Sequence, residues 1–296
     1  MKITRSAIFL IGIALLIIAA APLQAEGKKQ DKTGILLVTF GTTFPEARAA
    51  FKNIKESASR AFPDTPVKWA YTSEMIRKKM ADKGKQADSP DRALEKMDSE
   101  GFSRVAVQSL HTIAGHEFHD LVKTVRKFEN NADSIKEISI SGPLLDGPES
   151  MEKAAHAIRK SVPAERKPGE AVVLLGHGTH HPSNSAYAAL MWRLQTEDEN
   201  MFIGTVEGYP GPETIIEQLG QNKVSSAWLM PFMSVAGDHA RNDMAGDGKD
   251  SWKTLLSEAG LASRPVMKGF AEYEPFVDIW IDQLKEAIEN KIKVKD

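Results

Sequence analysis

Short apolar runs alternate with longer amphipathic stretches along most of this 296-residue chain. Runs rich in Val, Ile and Leu predict β-strands, and stretches with apolar residues three or four positions apart predict helices. The predicted strands are 34–40, 67–71, 104–109, 137–141, 171–175, 201–206, 226–230 and 265–269. The predicted helices are 45–61, 89–101, 117–128, 150–161, 183–197, 211–221, 251–259 and 274–291. This alternation is typical of right-handed βαβ crossovers and of parallel sheets covered by helices.

The eight predicted strands divide into two sets of four that resemble each other. The sequence Gly-Ile-Leu-Leu-Val-Thr-Phe-Gly-Thr-Thr from Gly34 corresponds to Ala-Val-Val-Leu-Leu-Gly-His-Gly-Thr-His from Ala171. Ile-Ala-Gly-His-Glu-Phe-His-Asp from Ile113 likewise corresponds to Val-Ala-Gly-Asp-His-Ala-Arg-Asn from Val235. The alternative is that any two βα units look alike over such short lengths. Two correspondences in the same order favour an internal duplication.

The duplication predicts an α/β fold of two Rossmann-like lobes, each a four-stranded parallel sheet flanked by helices, with a cleft between them. The N-terminal lobe is expected at 34–162 and the C-terminal lobe at 171–296. Residues 163–170, rich in Pro, Gly and charge, are the expected linker. The last helix is a candidate to pack back on the N-terminal lobe.

The N-terminus has the pattern of a secretory signal peptide. Lys2 and Arg5 precede an uninterrupted apolar run from Ala7 to Ala21, which is shorter than the about 20 residues that a membrane-spanning helix needs. Cleavage after Ala25 is expected, with 26–33 as a loose polar leader. The predicted location is the periplasm, with no stable membrane insertion after cleavage. The alternative is a retained N-terminal anchor.

Charge and cysteine content narrow the candidate chemistry. Removal of 1–25 takes away Lys2 and Arg5 and no acidic residue, which changes the formal net charge from −2 to −4. A nucleic-acid partner is therefore not expected, because such proteins need a basic face. The chain has no cysteine, so disulfides and thiolate metal sites are excluded. A bound metal ion must be held by imidazole and carboxylate groups.

Three residues with metal-binding side chains follow strands of the second half directly. Ligands of open parallel sheets bind at the carboxyl ends of the strands. His177 follows 171–175, Glu207 follows 201–206, and His239 lies in the loop that leaves 226–230. Two imidazoles and one carboxylate suit Co²⁺, Fe²⁺, Ni²⁺ or Zn²⁺ and leave coordination positions open. The alternative for each is an ordinary loop residue, a solvated charge or a neighbour of a helix cap.

Several motifs together resemble the anaerobic (class II) sirohydrochlorin cobaltochelatases. In the second half they are Gly-His-Gly-Thr from Gly176 with Pro182 and Asn184, Glu-Gly-Tyr-Pro from Glu207, and Met-Pro-Phe-Met-Ser-Val-Ala-Gly-Asp-His from Met230. In the first half they are the run from Gly34 to Thr43 and Leu-His-Thr-Ile-Ala-Gly-His-Glu from Leu110. The resemblance extends from about Gly34 to near the C-terminus.

The resemblance implies a lyase that inserts Co²⁺, or alternatively Fe²⁺, into a tetrapyrrole bound in the cleft. By it, His177, Glu207 and His239 correspond to the metal-binding residues. No nucleotide is implied, in agreement with the absence of P-loop and dinucleotide motifs. Neutral imidazole can both bind metal and accept a proton near pH 7. His177 is therefore the expected catalytic base, with His239 as its partner and Glu207 offsetting the metal's charge.

Further residues are candidates to contact the substrate. Backbone N–H groups at helix starts near Thr42, Thr43 and Thr179 are expected to bind its carboxylates. Leu110, Phe232 and Met233 are candidates to line the apolar ring face, with core packing as the alternative. Glu117 is expected to face the cleft, and His111 is a weaker candidate of the same kind. His180 and His181 flank the entrance, where they either deliver metal or are simply solvated.

His119 is a candidate axial ligand for a haem iron, for instance at the interface of a homo-oligomer. The alternative is a solvated helix residue. The spacing His116-Glu-Phe-His119 excludes the His-Glu-x-x-His motif of zinc proteases.

The main hypothesis is therefore a sirohydrochlorin cobaltochelatase, and its rival is a non-catalytic periplasmic carrier of haem, tetrapyrrole or metal. The sequence does not choose between cobalt and iron.

Overall fold

Eight parallel strands form two four-stranded sheets in the computed structural model, which describes residues 31–289. The strands are β1 Thr33–Thr39, β2 Val67–Tyr71, β3 Arg104–Ser109, β4 Glu137–Ile140, β5 Ala171–Gly176, β6 Met201–Thr205, β7 Ser226–Pro231 and β8 Ala262–Pro265. The helices are α1 Arg48–Ala61, α2 Glu74–Ala81, α3 Pro90–Ser99, α4 His116–Asn131, α5 Pro148–Ser161, α6 Ser185–Gln195, α7 Pro212–Gln221, α8 Trp252–Glu258 and α9 Glu274–Glu289. Among them, none is long and apolar enough to cross a bilayer.

The two sheets have the same strand order. It is β2-β1-β3-β4 in the first sheet and β6-β5-β7-β8 in the second. The predicted fold class, two α/β lobes with a parallel sheet each, is thus confirmed, and the shared order agrees with an internal duplication. The predicted signal peptide lies outside the described residues. Strand β1 begins at Thr33, the last residue of the predicted leader.

Both faces of each sheet are covered because successive side chains of a strand point in opposite directions. On β1, Ile35 and Leu37 face a central core, whereas Leu36 faces an outer core of the first lobe. On β5, Val172 and Leu174 contribute to the same central core. All five are fully buried or nearly so. The central core therefore joins the two sheets, and the sequence-based lobe boundaries stay a prediction.

Helices α5 and α9 each pack mainly against the half of the chain to which they do not belong in sequence. Helix α5 follows the first sheet but packs on α6, where Arg193 Nε lies 2.6 Å from Glu152 Oε2. Helix α9 follows the second sheet but packs on β3, β4 and α1. Its Gln283 donates a 3.1 Å hydrogen bond to the carbonyl of Pro143. Each helix therefore connects the two lobes.

Besides shifts of up to three residues at the ends of helices such as α1 and α4, two elements differ from the sequence-based prediction. Helix α2 was not predicted; its local signal is Ser73, whose Oγ accepts a hydrogen bond from the N–H of Ile76 as an N-cap. The last strand was predicted at 265–269 but lies at Ala262–Pro265, so the prediction is wrong by three residues at its start. This strand is at the edge of the sheet, where proline is tolerated because its missing N–H is not needed to pair with another strand. Its residues are largely exposed, so the strand lacks the apolar pattern on which the prediction relied.

A buried carboxylate ties the amino-terminal ends of the second sheet together. Glu170, just before β5, accepts hydrogen bonds from Arg264 of β8 at 2.5 Å, from Trp228 Nε1 of β7 at 3.1 Å, and from the N–H of Lys167 at 2.9 Å. These donors, Arg264 foremost, lower the pKa of Glu170 to about 2. The carboxylate is thus stabilised in its charged form.

Glu170→Gln should lower the melting temperature at neutral pH because it removes the charge that Arg264 and its neighbours bind. A lowered pKa contributes stability that is present above the ordinary value of 4.5 and is lost as pH falls towards about 2. The difference in melting temperature between wild type and variant should therefore shrink between these values, as followed by circular dichroism. Glu149→Gln is the matched control, since Glu149 is exposed and pairs only along its helix with Lys153. A difference independent of pH would contradict this account.

Candidate functional site

A cavity of about 380 Å³ lies where the loops leave the carboxyl ends of strands from both sheets. Its walls combine apolar surface with a few imidazole, hydroxyl and carboxylate groups, as is usual for small-molecule sites. Ten residues that the sequence predicted for the site line it: Thr42, Thr43, Leu110, His111, Glu117, His177, Thr179, Glu207, Met233 and His239. The prediction that strand ends converge on one site therefore agrees with the position of the cavity.

His177 and His239 are neighbours in this cavity. Their rings meet edge to face with centroids 4.5 Å apart. His177 follows β5 directly, and His239 ends the loop after β7. Strands β5 and β7 are adjacent in the sheet, which explains why residues 62 positions apart in sequence come together. The pair offers two imidazoles to one ligand.

The hydrogen bonds of both rings leave Nε2 available. His177 Nδ1 lies 3.0 Å from the carbonyl oxygen of Gly178, and His239 Nδ1 lies 2.6 Å from Asp243 Oδ2. Because carbonyl and carboxylate oxygens accept, the neutral form of each ring carries its proton on Nδ1 and its lone pair on Nε2. Such partners orient metal-binding histidines. Asp243 was missed in the sequence; its signal is the spacing of four residues from His239, on the π-helical turn Ala240–Met244.

Glu207 lines the same cavity from the loop after β6. Its N–H donates a 2.7 Å hydrogen bond to the carbonyl of His177, which couples the two loops. Gly178 makes this approach possible, because a Cβ there would overlap the carbonyl oxygen of Glu207, and its φ of +79° favours glycine. Within residues 31–289, however, no three His, Asp or Glu side chains already stand in coordinating geometry. Glu207 as the third metal ligand therefore stays a prediction.

A second histidine–carboxylate pair lines the cavity from the first lobe. His111 Nε2 lies 3.4 Å from Glu117 Oε2, and Glu117 Oε2 accepts a 3.0 Å hydrogen bond from Thr72 Oγ1. His111 Nδ1 lies 2.9 Å from Ser109 Oγ. The buried Nε2 of His111 nevertheless makes no hydrogen bond of suitable geometry, even with Glu117. A buried polar atom without a partner is costly, so this nitrogen is available to a ligand in the cavity.

The expected anion sites at helix starts are not there. Helix α1 begins at Arg48, so Thr42 and Thr43 precede it by five residues or more, because the turn around Pro45 delays the helix. Thr42 Oγ1 instead accepts a hydrogen bond from the N–H of Phe44. The N–H of Thr179 is already donated to Asn184 Oδ1 at 3.0 Å. The threonines line the cavity, but the prediction of free N–H groups at helix starts is wrong.

Phe232 does not line the cavity. It is fully buried and packs between Tyr187, at a ring distance of 6.1 Å, and Phe270, at 4.2 Å. Its position at the end of β7 directs the side chain into the central core, which corrects its assignment to the ring face. Leu110 and Met233 do line the cavity.

The sequence analysis missed one wall of the cavity entirely. Helix α2 contributes Met75, Ile76 and Lys79. Met75 is 57% exposed, unusual for a large apolar side chain. Lys79 provides a cation for an acidic ligand. Phe40 also lines the cavity, with its ring 6.3 Å from that of His177.

His119 is exposed on α4 and does not line the cavity. Its Nδ1 lies 2.9 Å from the carbonyl oxygen of Gly115, so its Nε2 is available for a ligand. Axial binding of haem iron by this residue stays a prediction. His180 is exposed as well, whereas the ring of His181 lies close to those of His116 and His119.

Sequence comparison relates this chain to known chelatases. The family model described as cobalt chelatase (CbiK) matches residues 33–289. The sirohydrochlorin cobaltochelatase CbiKC of Nitratidesulfovibrio vulgaris is 43% identical over 257 residues, which cover 87% of this chain and 91% of that protein. The sirohydrochlorin cobaltochelatase of Salmonella typhimurium is 33% identical over 261 residues, 87% of this chain and 97% of that protein.

Solved structures share the fold at low sequence identity. SirB from Bacillus subtilis with Fe³⁺ superposes with a TM-score of 0.58 at 14% identity, covering 88% of this chain and 96% of that one. CbiX, described as the terminal enzyme of sirohaem biosynthesis in denitrifying bacteria, gives 0.55 at 15% identity, covering 86% and 99%. At these identities the similarity establishes the two-lobed fold alone.

Proposed function

We propose that this chain, which belongs to the cobalt chelatase (CbiK) family, inserts Co²⁺ into sirohydrochlorin without the help of a nucleotide. The observation that carries the proposal is the pair of imidazoles at 4.5 Å, His177 and His239, each with Nδ1 bonded to an acceptor and Nε2 left for metal. The relatives with this activity are similar to the chain over nearly its whole described length.

In this proposal His177 and His239 hold Co²⁺ through their Nε2 atoms before insertion. Imidazole nitrogen suits cobalt, and Glu207 offsets the charge of the ion from the adjoining loop. Cobalt then forms bonds to all four ring nitrogens, two of them through existing lone pairs and two as their N–H bonds break, so two protons leave the ring. His177 accepts a proton as the metal leaves it.

The first lobe offers a further proton acceptor. His111 presents a buried Nε2 without a hydrogen-bond partner, and the Glu117 carboxylate lies 3.4 Å from it. In our proposal His111 receives the second pyrrole proton. Lys79 on the neighbouring wall attracts the acidic side chains of the tetrapyrrole.

The function is tested by anaerobic incubation of the purified chain with sirohydrochlorin and Co²⁺, following the visible spectrum of the ring. We expect metallation well above the spontaneous rate and without added nucleotide. A rate equal to that of the protein-free mixture would overturn the proposal and favour a carrier of tetrapyrrole or metal. The same assay with Fe²⁺ compares the two candidate metals.

Asp243→Asn should lower kcat/KM for cobalt insertion about 10–100-fold, the usual effect of losing a partner that orients a metal-binding histidine. The amide no longer stabilises the Nδ1 proton of His239 as the carboxylate does at 2.6 Å. The matched control is Asp247→Asn, which removes a carboxylate of the same segment that pairs with Lys253. Equal rates for the two variants would exclude a role for Asp243.

Export from the cytoplasm is also part of the proposal, and it is supported by the pattern of residues 1–25 alone. Mass spectrometry of the chain from a periplasmic extract should give an N-terminus at Glu26. Recovery of the full-length chain from the cytoplasm would contradict export.

Haem binding at His119 predicts a Soret band in the purified protein that His119→Ala removes.

A further inference from the structure

Three histidines gather at the rim of the cavity without a part in the proposed insertion step. His116 and His119 lie on the first turn of α4, three residues apart and hence on one face of the helix. His181 comes from the loop after β5. The ring centroid of His181 lies 4.8 Å from that of His116 and 5.0 Å from that of His119. Segments from both lobes thus bring three imidazoles together, which we name the rim cluster.

Two of these rings have surroundings that bear on metal binding. Desolvation, and secondarily the proximity of His116 and His119, lowers the pKa of His181. His119 already has its Nδ1 proton bonded to the carbonyl of Gly115, which leaves the Nε2 lone pair free. Metal affinity of imidazole requires the deprotonated nitrogen. His119 is therefore prepared to bind a cation.

His181 needs a change of tautomer. Its Nδ1 accepts a 3.1 Å hydrogen bond from the N–H of Ser183, so the neutral ring carries its proton on Nε2. Transfer of that proton to Nδ1 frees Nε2. The Nδ1–H then donates to Ser183 Oγ, 2.9 Å away, and the N–H of Ser183 gives up its bond to the ring. The number of protons on the ring does not change. Ser183 Oγ thus offers an acceptor to the metal-binding tautomer, at the cost of the bond from its own N–H.

The side chains must also rotate. In the described range 31–289, no group of three metal-binding side chains is already in coordinating geometry. His116 and His119 are both exposed on the helix, where side chains exchange rotamers freely. Rotation of these two rings can direct their nitrogens towards the ring of His181, and His119 then exchanges its hydrogen bond with Gly115 for a bond to the ion. Three imidazoles with open positions suit the divalent ions of cobalt, nickel or zinc.

We propose that the rim cluster of His116, His119 and His181 is a second binding site for a divalent transition-metal ion, separate from the His177–His239 pair. His116 also lines the cavity, so the site stands at its entrance. A metal ion held there is in position to be passed inwards to His177. Only this delivery step rests on the proposed function; the binding itself does not. A haem iron on His119 and the rim site exclude each other, because both need the same Nε2.

The test is titration calorimetry with Co²⁺ as the only ligand, on the whole metal-free chain. We expect two Co²⁺ ions per chain for wild type and one for His116→Ala/His119→Ala. One ion should also remain in His177→Ala/His239→Ala, and the variant with all four substitutions should bind none. His156→Ala, an exposed histidine of α5, is the matched control and should keep two.

His181→Ala serves as the second variant, and it should weaken the same site that the helix substitutions remove. Circular dichroism establishes that each variant is folded. A single Co²⁺ per chain in wild type that disappears in His177→Ala/His239→Ala would overturn the proposal. So would two ions retained in full by His116→Ala/His119→Ala. Since no tetrapyrrole is present, failure of the chelatase assay leaves this result unaffected.

Discussion

Replacing His177 with alanine should lower the rate of cobalt insertion at least about 100-fold, the range typical of a lost catalytic acid or base. The substitution removes one of the two imidazoles on the cavity and with it both a metal ligand and the expected proton acceptor. The binding of Co²⁺ to the pair should weaken as well. Initial rates at saturating sirohydrochlorin, over a series of Co²⁺ concentrations, separate the effect on kcat from that on KM.

His156→Ala controls for the loss of an imidazole as such, because His156 is exposed on α5 and does not line the cavity. It should keep the wild-type rate. A His177→Ala variant as active as His156→Ala would contradict the proposed role of the imidazole pair.

Gly178→Ala should destabilise the fold by at least about 3 kcal/mol, combining the cost of a left-handed backbone with that of a severe overlap. Gly178 is buried with a φ of +79°, and a Cβ would overlap the carbonyl oxygen of Glu207. That carbonyl belongs to backbone, which cannot move aside as a flexible side chain can. Urea unfolding measures the loss in the free energy of unfolding. In the folded variant, the loops that carry His177 and Glu207 should move apart.

Gly101→Ala is the matched control for this variant. Its φ of +77° is nearly the same, but no heavy atom lies within 4 Å of the position of its Cβ. It should therefore cost only the backbone contribution, about 1–2 kcal/mol. Equal losses for the two variants would show that the overlap at Gly178 is relieved by small shifts of the loop.

The sequence predicted those features that follow from strand periodicity and topology. Buried parallel strands read as continuous apolar runs, so β1 and β5 were evident. Once the sheets are parallel, the carboxyl ends of neighbouring strands share one edge, which is why His177 and His239 were expected together. The resemblance of several motifs to those of the cobaltochelatases then indicated a tetrapyrrole as the substrate. These inferences need no knowledge of side-chain conformation.

Features that depend on tertiary packing could not be predicted from the sequence. Helix α2 buries only Ile76 and Met80, so its apolar periodicity is weak although it forms one wall of the cavity. Asp243 orients His239 from a π-helical turn, where ordinary helix periodicity does not apply. Phe232 was assigned to the ring face because a residue at the end of a strand can point either way. The rim cluster joins residues from the two halves, which no local pattern reveals.

Helices α5 and α9 each pack mainly against the half of the chain to which they do not belong in sequence. Neither half can therefore be a self-sufficient folding unit. A fragment ending after α5 would lack the helix that covers β3 and β4, and it would carry a helix whose partner, α6, is missing. Apolar residues such as Ile158 and Trp280, buried in the whole chain, would then be exposed to water. Separately produced halves should aggregate, or combine with each other by supplying the missing helices in trans. The two halves of the chain must therefore fold together.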